Sequence, residues 1–182
     1  DAPEFPPYTV VSRGPVYDLR LYDPYPVVEM DYERREEGYG ALGGYVDGDN
    51  ADRVRFAYSQ PVIMRYYKSG RKVMQMYLGS RITSKGALPA PRAAEVSTLP
   101  TPNFNYVRLG VAGGELVAVT RFEGFITPMT VEAPKKALLA ALKADGIKLG
   151  DDEEEGFFRC AQYGAVYQVG GRLNEFMLRV QP

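Results

Sequence analysis

Val62-Ile63-Met64-Arg65-Tyr66-Tyr67, Lys68-Ser69-Gly70-Arg71 and Val73-Met74-Gln75-Met76-Tyr77-Leu78 read, in that order, as strand, turn and strand. Two runs rich in β-branched and aromatic residues flank a polar connection containing glycine, which is the signature of an antiparallel hairpin. Working outward toward the N-terminus, residues 53–58 are strand-like, and residues 33–46 carry a weaker helical pattern. Tyr39, Leu42 and Val46 share a face of that helix, but Gly38, Gly40, Gly43 and Gly44 each cost about 1 kcal/mol relative to alanine. Packing must therefore hold it, and its glycines would let it lie close on a sheet. Before it, residues 26–32 and 17–22 form two strands about an Asp23-Pro24 turn. In the earlier strand Tyr17, Leu19 and Leu21 alternate with Asp18, Arg20 and Tyr22, the period of a half-buried strand. Residues 1–7 are an irregular, proline-rich lead-in.

Working outward in the other direction, residues 79–102 form a polar linker with Pro89, Pro91, Pro100 and Pro102. Residues 106–111 and 115–122 then make a second hairpin about Gly113-Gly114. Thr130 is placed to cap a helix that runs to Ala144 and stops at Gly146. Leu138, Leu139 and Leu142 are its buried stripe, and Pro134 falls near its first turn, where proline does least harm. Residues 157–163 and 173–180 are the last strands. Both halves thus read ββαββ, over about 8–78 and 103–180, within a single domain of residues 1–182. The expected class is α+β: a distorted antiparallel β-barrel flanked by two α-helices and built from two related ββαββ halves.

Composition narrows the chemistry. The 182 residues hold 22 Lys+Arg against 23 Asp+Glu, which lacks the basic excess a nucleic-acid binder uses to displace counterions. No apolar run approaches a membrane span of about 20 residues. A lone cysteine, Cys160, excludes an internal disulfide and favours a reducing, cytoplasmic setting. The chain opens on Asp1, so either a targeting segment has been removed or the chain was shortened. There is no histidine, hence no imidazole general base, no Ser-His-Asp triad and no His-rich metal site. The 14 Tyr, 8 Phe and 6 Met suit a surface that binds a flat apolar molecule.

Several motifs have structural readings. Gly38-Tyr39-Gly40-Ala41-Leu42-Gly43 spells G-x-G-x-x-G, but a charged stretch precedes it and a hairpin follows, so close helix packing is expected rather than a nucleotide site. Residues 151–155 are five consecutive carboxylates without the interleaved spacing of a calcium loop, expected to be a solvated loop. Asp47-Gly48-Asp49-Asn50 reads as a helix stop. Cys160, Met64, Met74 and Met76 read as core. Arg172, Asn174 and Glu175 open a buried strand, which points to a fixed hydrogen-bond network or a salt bridge closing the barrel.

A family resemblance joins these pieces. Pro7-Tyr8-Thr9-Val10-Val11 with Tyr17-Asp18-Leu19-Arg20-Leu21-Tyr22 resembles the Y-x-V…Y-E-V-R-x-Y opening of SOUL-type haem-binding proteins. Gly44-Tyr45-Val46-Asp47-Gly48-Asp49-Asn50 resembles their G-Y-I-x-G-x-N, and Pro61-Val62 stands where they have M-T-x-P-V. Leu99-Pro100-Thr101-Pro102 and Val119-Thr120-Arg121-Phe122-Glu123-Gly124 resemble the P-x-P linker and F-x-G motif. Cys160-Ala161-Gln162-Tyr163 and Arg172-Leu173-Asn174-Glu175 resemble the closing A-x-Y…R-x-N-E. The likeness runs from Pro7 to Val180 and is nearest to the plant and algal plastid branch, which implies the chloroplast.

The resemblance implies a non-enzymatic protein that binds haem or another porphyrin reversibly and non-covalently, as a soluble carrier or buffer. The groove would lie beside the first helix, lined by Leu42, Tyr45 and Val46 and by the loop holding Ala165 and Gln168. Arg53, Arg55 and Arg172 would meet the propionates. Any axial ligand would have to be Tyr, Met, Cys or Lys, with Tyr45 the first choice. Three departures accompany it: Tyr58-Ser59-Gln60 replaces the Met-Thr pair, Tyr163-Gly164-Ala165-Val166 replaces Y-D-x-P, and that loop has no Lys to meet a propionate, Gln168 standing about where one is expected. They motivate an alternative, a haem-free scaffold that docks to a protein partner or a lipid-body surface. A tetrapyrrole-modifying enzyme is a third reading, for which no acid–base pair is evident.

Overall fold

The computed structural model describes residues 2–80, 88–92, 107–164 and 173–182. Nine strands and three helices follow the order β1 (Tyr8–Arg13), β2 (Asp18–Tyr22), β3 (Tyr25–Asp31), α1 (Arg35–Val46), β4 (Val62–Tyr66), β5 (Lys72–Tyr77), β6 (Arg108–Ala112), β7 (Glu115–Glu123), α2 (Glu132–Ala144), α3 (Asp151–Glu154), β8 (Phe158–Gln162) and β9 (Leu173–Arg179). All strands join one antiparallel sheet in the order β1-β2-β7-β9-β8-β4-β5-β3-β6, curled into a half-barrel. The central pair is β4–β8, in register from Val62↔Gln162 to Tyr66↔Phe158. Outward from it run β5-β3-β6 on one side and β9-β7-β2 on the other. Exchanging the two ββαββ runs reverses this order, so each run lends its first strand to the other.

The strict alternation of the strands gives the sheet two buried faces. Met30, Met64, Met74, Cys160 and Phe176 face the helices and pack with Leu42 and Tyr45 of α1 and Leu138 and Leu142 of α2. Each of those buried leucines contributes roughly 1.5–3 kcal/mol. Tyr25, Val27, Ile63, Val117 and Met177 form a second cluster on the opposite face, which the curl of the sheet covers.

α1 forms despite its glycines because both its ends and its buried face are held. The Glu37 carboxylate accepts from the Arg34 amide at 3.0 Å, half of a capping box. Gly38 seats the helix on β5, where a Cβ would lie 2.6 Å from Met74 Sδ. The close packing expected of the glycine series holds at Gly38; at Gly40 and Gly43 a Cβ would meet nothing within 4 Å. Beyond the helix the buried Asn50 fixes the turn: Nδ2 donates to the Tyr45 and Val54 carbonyls, and Oδ1 accepts from the Val54 amide.

Four local expectations change. Residues 53–58 form no strand, because the Asn50 turn holds them and Arg53 takes a positive φ of 55°. Residues 8–13 do form one, an exposed edge strand laid on β2. The carboxylate run opens with the short helix α3, whose Glu153 is buried and accepts from the Arg179 amide at 3.0 Å. Thr130 does not cap α2: it immediately precedes the Val131 N-cap, and its hydroxyl donates to the Phe125 carbonyl at 2.5 Å and accepts from the Thr127 amide. Among the described residues no helix is long and apolar enough to cross a membrane.

Candidate functional site

The outer side of α1 and the ends of β4, β5 and β8 enclose a cleft of about 720 Å³. Its walls are Tyr39 and Val46 from α1, Tyr58 and Gln60 from the approach to β4, Val62, Met76, Gln162 at the end of β8 and Tyr163 just beyond it, with Phe125 also in the lining. Gly43 lies in the lining, where a side chain would project into open space. The helix therefore presents bare backbone to the cleft, and a flat molecule can approach closely.

The polar groups in this wall bond to one another. The Tyr39 hydroxyl donates to Gln162 Oε1 at 2.6 Å. Gln60 Nε2 donates to the Tyr58 hydroxyl at 2.6 Å, and Gln60 Oε1 accepts from the Gly164 amide at 3.1 Å. A Cβ on Gly164 would lie 2.5 Å from Gln60 Nε2 and 2.9 Å from the Tyr58 oxygen, so only glycine fits without displacing that wall. What remains toward the cavity is mostly hydrocarbon and ring surface, the usual lining of a small-molecule site, with the carboxylates of Glu36 and Asp47 on the α1 side. Arg35 is the one cationic side chain in the lining among the described residues.

The residues named from sequence divide. Val46 lines the cleft. Leu42 and Tyr45 turn the other way, into the core against the sheet. The Tyr45 hydroxyl donates to the Pro89 carbonyl at 2.5 Å and its ring stacks on Phe56. Burial pushes the Tyr45 phenol up to about 12, so at neutral pH it is a protonated structural donor. Arg53 and Arg55 are exposed beyond the C-terminal end of α1, and Arg55 Nε donates to the Asp47 carbonyl at 3.2 Å. Neither is among the residues lining the cleft; the place of Arg55 at the C-terminal end of the helix is one that favours a cation. Ala165, Gln168 and Arg172 lie outside the described residues, which resume at Leu173. Sequence reading missed Tyr39, Gly43, Gln60, Gln162 and Arg35. The available signal was the glycine series in α1, since a helix with no side chains on part of its surface leaves room there.

Two other groups find structural roles. Cys160 is fully buried and burial pushes its thiol up to about 12, which keeps the thiolate out of neutral chemistry. Glu175 takes both guanidinium nitrogens of Arg20, at 3.0 and 2.6 Å, and accepts from the Tyr163 hydroxyl at 2.6 Å. Both ionic side chains are at least 96% buried. At Glu175 the strand's polar opening is a buried salt bridge within a hydrogen-bond network, tying β2 to β9 across β7, while Arg172 lies outside the described residues.

The cleft has the size and lining to take part of a tetrapyrrole face. The chain's donors limit how iron in such a ring could be held. With no imidazole anywhere, Met76 and the tyrosine hydroxyls are the candidate axial donors in the lining, and the Tyr39 proton is already committed to Gln162.

No curated protein sequence matches the chain. Solved structures share its fold at low identity. A hydrolase encoded by lin2189 from Listeria innocua superposes with a TM-score of 0.61 at 8% identity, over 91% of this chain and 92% of that one. The EcmrR C-terminal domain does so with a TM-score of 0.56 at 10% identity, over 96% and 98%. At such identities the likeness is one of fold alone. The sequence itself matches the SOUL haem-binding protein family over residues 3–179. With the match spanning nearly every residue of a half-barrel that carries an aromatic cleft beside its first helix, the chain belongs to the SOUL haem-binding protein family.

Proposed function

We propose that the protein binds haem or another tetrapyrrole reversibly and non-covalently, as a carrier or buffer, with the ring in the cleft beside α1. The observation that carries this reading is the bare backbone at Gly43 facing Val62, Met76 and the tyrosine wall. A flat ring would rest on these surfaces and gain from apolar burial and ring contacts. Arg35 would meet a propionate from the cleft lining, and Ala165, Gln168 and Arg172 remain the further contacts that the family resemblance implies. Bound haem would supply colour and redox capacity; the chain's part is to orient the ring and shield one face. Without histidine ligation the grip rests on ring faces and propionates, which favours exchange over retention.

The test is a haemin titration followed by the Soret band. Saturable binding at micromolar protein is expected, weakened by Val46→Arg and by Gly43→Phe, while Arg53→Ala changes it little. Absence of a saturable shift, together with stoichiometric recovery of a pigment-free protein partner from extract, would replace this reading with that of a haem-free scaffold.

A further inference from the structure

A second cleft, of about 460 Å³, lies between the N-terminal ends of α1 and α2. Its floor is the pair Tyr66 and Phe158, cross-strand partners in the central β4–β8 ladder. Their rings stack at 5.0 Å with 22° between planes, and Phe158 stacks in turn on the core residue Phe176. The floor is therefore rigid and aromatic, and it sits at the seam between the two ββαββ runs.

The wall has two further properties. Tyr32 is only 3% exposed and lines this cleft, and its hydroxyl stands beside the Tyr66 phenol without a well-directed hydrogen bond. A buried hydroxyl so poorly satisfied is uncommon and keeps hydrogen-bonding capacity for a ligand. The charge lining the cleft is mainly positive. Arg35, Arg71, Lys72 and Lys135 face one acid, Glu132. Arg71 is neutralised by Asp31 through two hydrogen bonds, and the Lys72 ammonium donates to the Glu33 carbonyl. The Lys135 ammonium stands 5.9 Å over the Phe158 ring. An aromatic floor, a buried donor and an excess of cations define the complement: a planar ring bearing an acid group.

We propose that this cleft is a second binding site, for an aromatic carboxylate whose ring packs on Tyr66 and Phe158 and whose carboxylate accepts from the Tyr32 hydroxyl beside Lys135. Burial holds the Tyr32 phenol far above its ordinary range, so it remains a donor at neutral pH. The site is separate from the tetrapyrrole cleft except that Arg35 lines both. Arg35 is for that reason a poor test residue.

The probe is 2-naphthoate, titrated calorimetrically into the full chain, with naphthalene-2-methanol as its uncharged analogue. Saturable one-to-one binding of naphthoate is expected, and weaker binding of the alcohol. Removing a hydrogen bond to a charged group typically costs about tenfold or more, so Tyr32→Phe is expected to weaken naphthoate by about that factor. Lys135→Glu is expected to weaken it at least as much. Because Tyr32→Phe deletes a hydroxyl that makes no well-directed hydrogen bond, its melting temperature should change little, which separates lost binding from lost folding. Val46→Arg, in the other cleft, should leave naphthoate binding unchanged, and a haemin titration of the same variants reads that other cleft independently. Absence of saturation at millimolar naphthoate, binding indifferent to Tyr32→Phe and Lys135→Glu, or binding lost in Val46→Arg would each overturn the proposal.

Discussion

The two faces of the sheet are built from the same nine strands but from different chemistry. The face toward the helices is soft and uncharged at its centre: Met30, Met64, Met74, Cys160 and Phe176 pack against leucines. The inner face of the curl holds Arg20 with Glu175 and Arg159 with Glu115, set among Tyr25, Val27, Val117 and Met177. Charge on the inner face is consumed internally: Arg20 and Arg159 are matched to carboxylates, and Arg65 donates to the Tyr67 hydroxyl. Both proposed clefts open instead at the rim of the helix face, where polarizable side chains and rings tolerate an inserted molecule. Charge inside the curl therefore serves the fold, whereas both proposed ligand clefts lie on the helix side of the sheet.

The largest test of that division is Arg20→Ala. It leaves Glu175 buried without its partner, and such losses cost about 3–5 kcal/mol, whereas replacing both residues by Met and Leu is expected to be close to neutral. Urea unfolding of the single and double variants measures the difference; a mild single variant would mean that the pair is solvated and the inner face less closed. Leu42→Ala comes next, at about 2–5 kcal/mol, because its side chain fills the α1–sheet contact. The folded fraction of that variant should still bind haemin if Leu42 is core rather than groove.

Gly43 separates stability from binding. Gly43→Ala is expected to raise stability by about 1 kcal/mol, as a helix-interior glycine replaced where space is open. Gly43→Phe is expected to lower haemin affinity by at least tenfold, about 1.4 kcal/mol. Equal haemin binding by the two variants would move the ring elsewhere.

The smallest effect is alkaline. The Cys160 thiol is pushed up to about 12 by burial, from an ordinary value of 9.0. Above that ordinary value the unfolded chain releases the proton while the folded chain keeps it, so stability falls as pH rises from 9 toward 12. The share due to Cys160 reaches about 1 kcal/mol near pH 10. In Cys160→Ala the decline should begin later, where buried tyrosines such as Tyr22 and Tyr163, also raised by burial, take over. Thermal melts between pH 8 and 11 give the comparison.

Most strands were legible because alternation is local: residues 62–66 and 72–77 announce themselves beside Gly70. β1 was not, since Tyr8 and Val11 are exposed and the strand exists only through its pairing with β2. The helices show why the site was harder to read than the fold. α2 carries Leu138 and Leu142 as a plain stripe, and its buried side follows directly. In α1 four glycines blur the stripe, so Leu42, Tyr45 and Val46 look alike in sequence, although the first two are core and only the third reaches the cleft.

By itself the sequence determined what the protein lacks and the rhythm of what it contains. The absence of histidine removes imidazole chemistry from any fold, and periods of two and 3.6 are properties of the backbone alone. Tertiary structure decided which side of each element is inside. Arg20 belongs to the polar side of its strand yet is 3% exposed, because Glu175, 155 residues away, neutralises it. The cleft, likewise, is a space that Gly43 leaves empty between elements distant in sequence, and such a space is defined only once the walls around it have met.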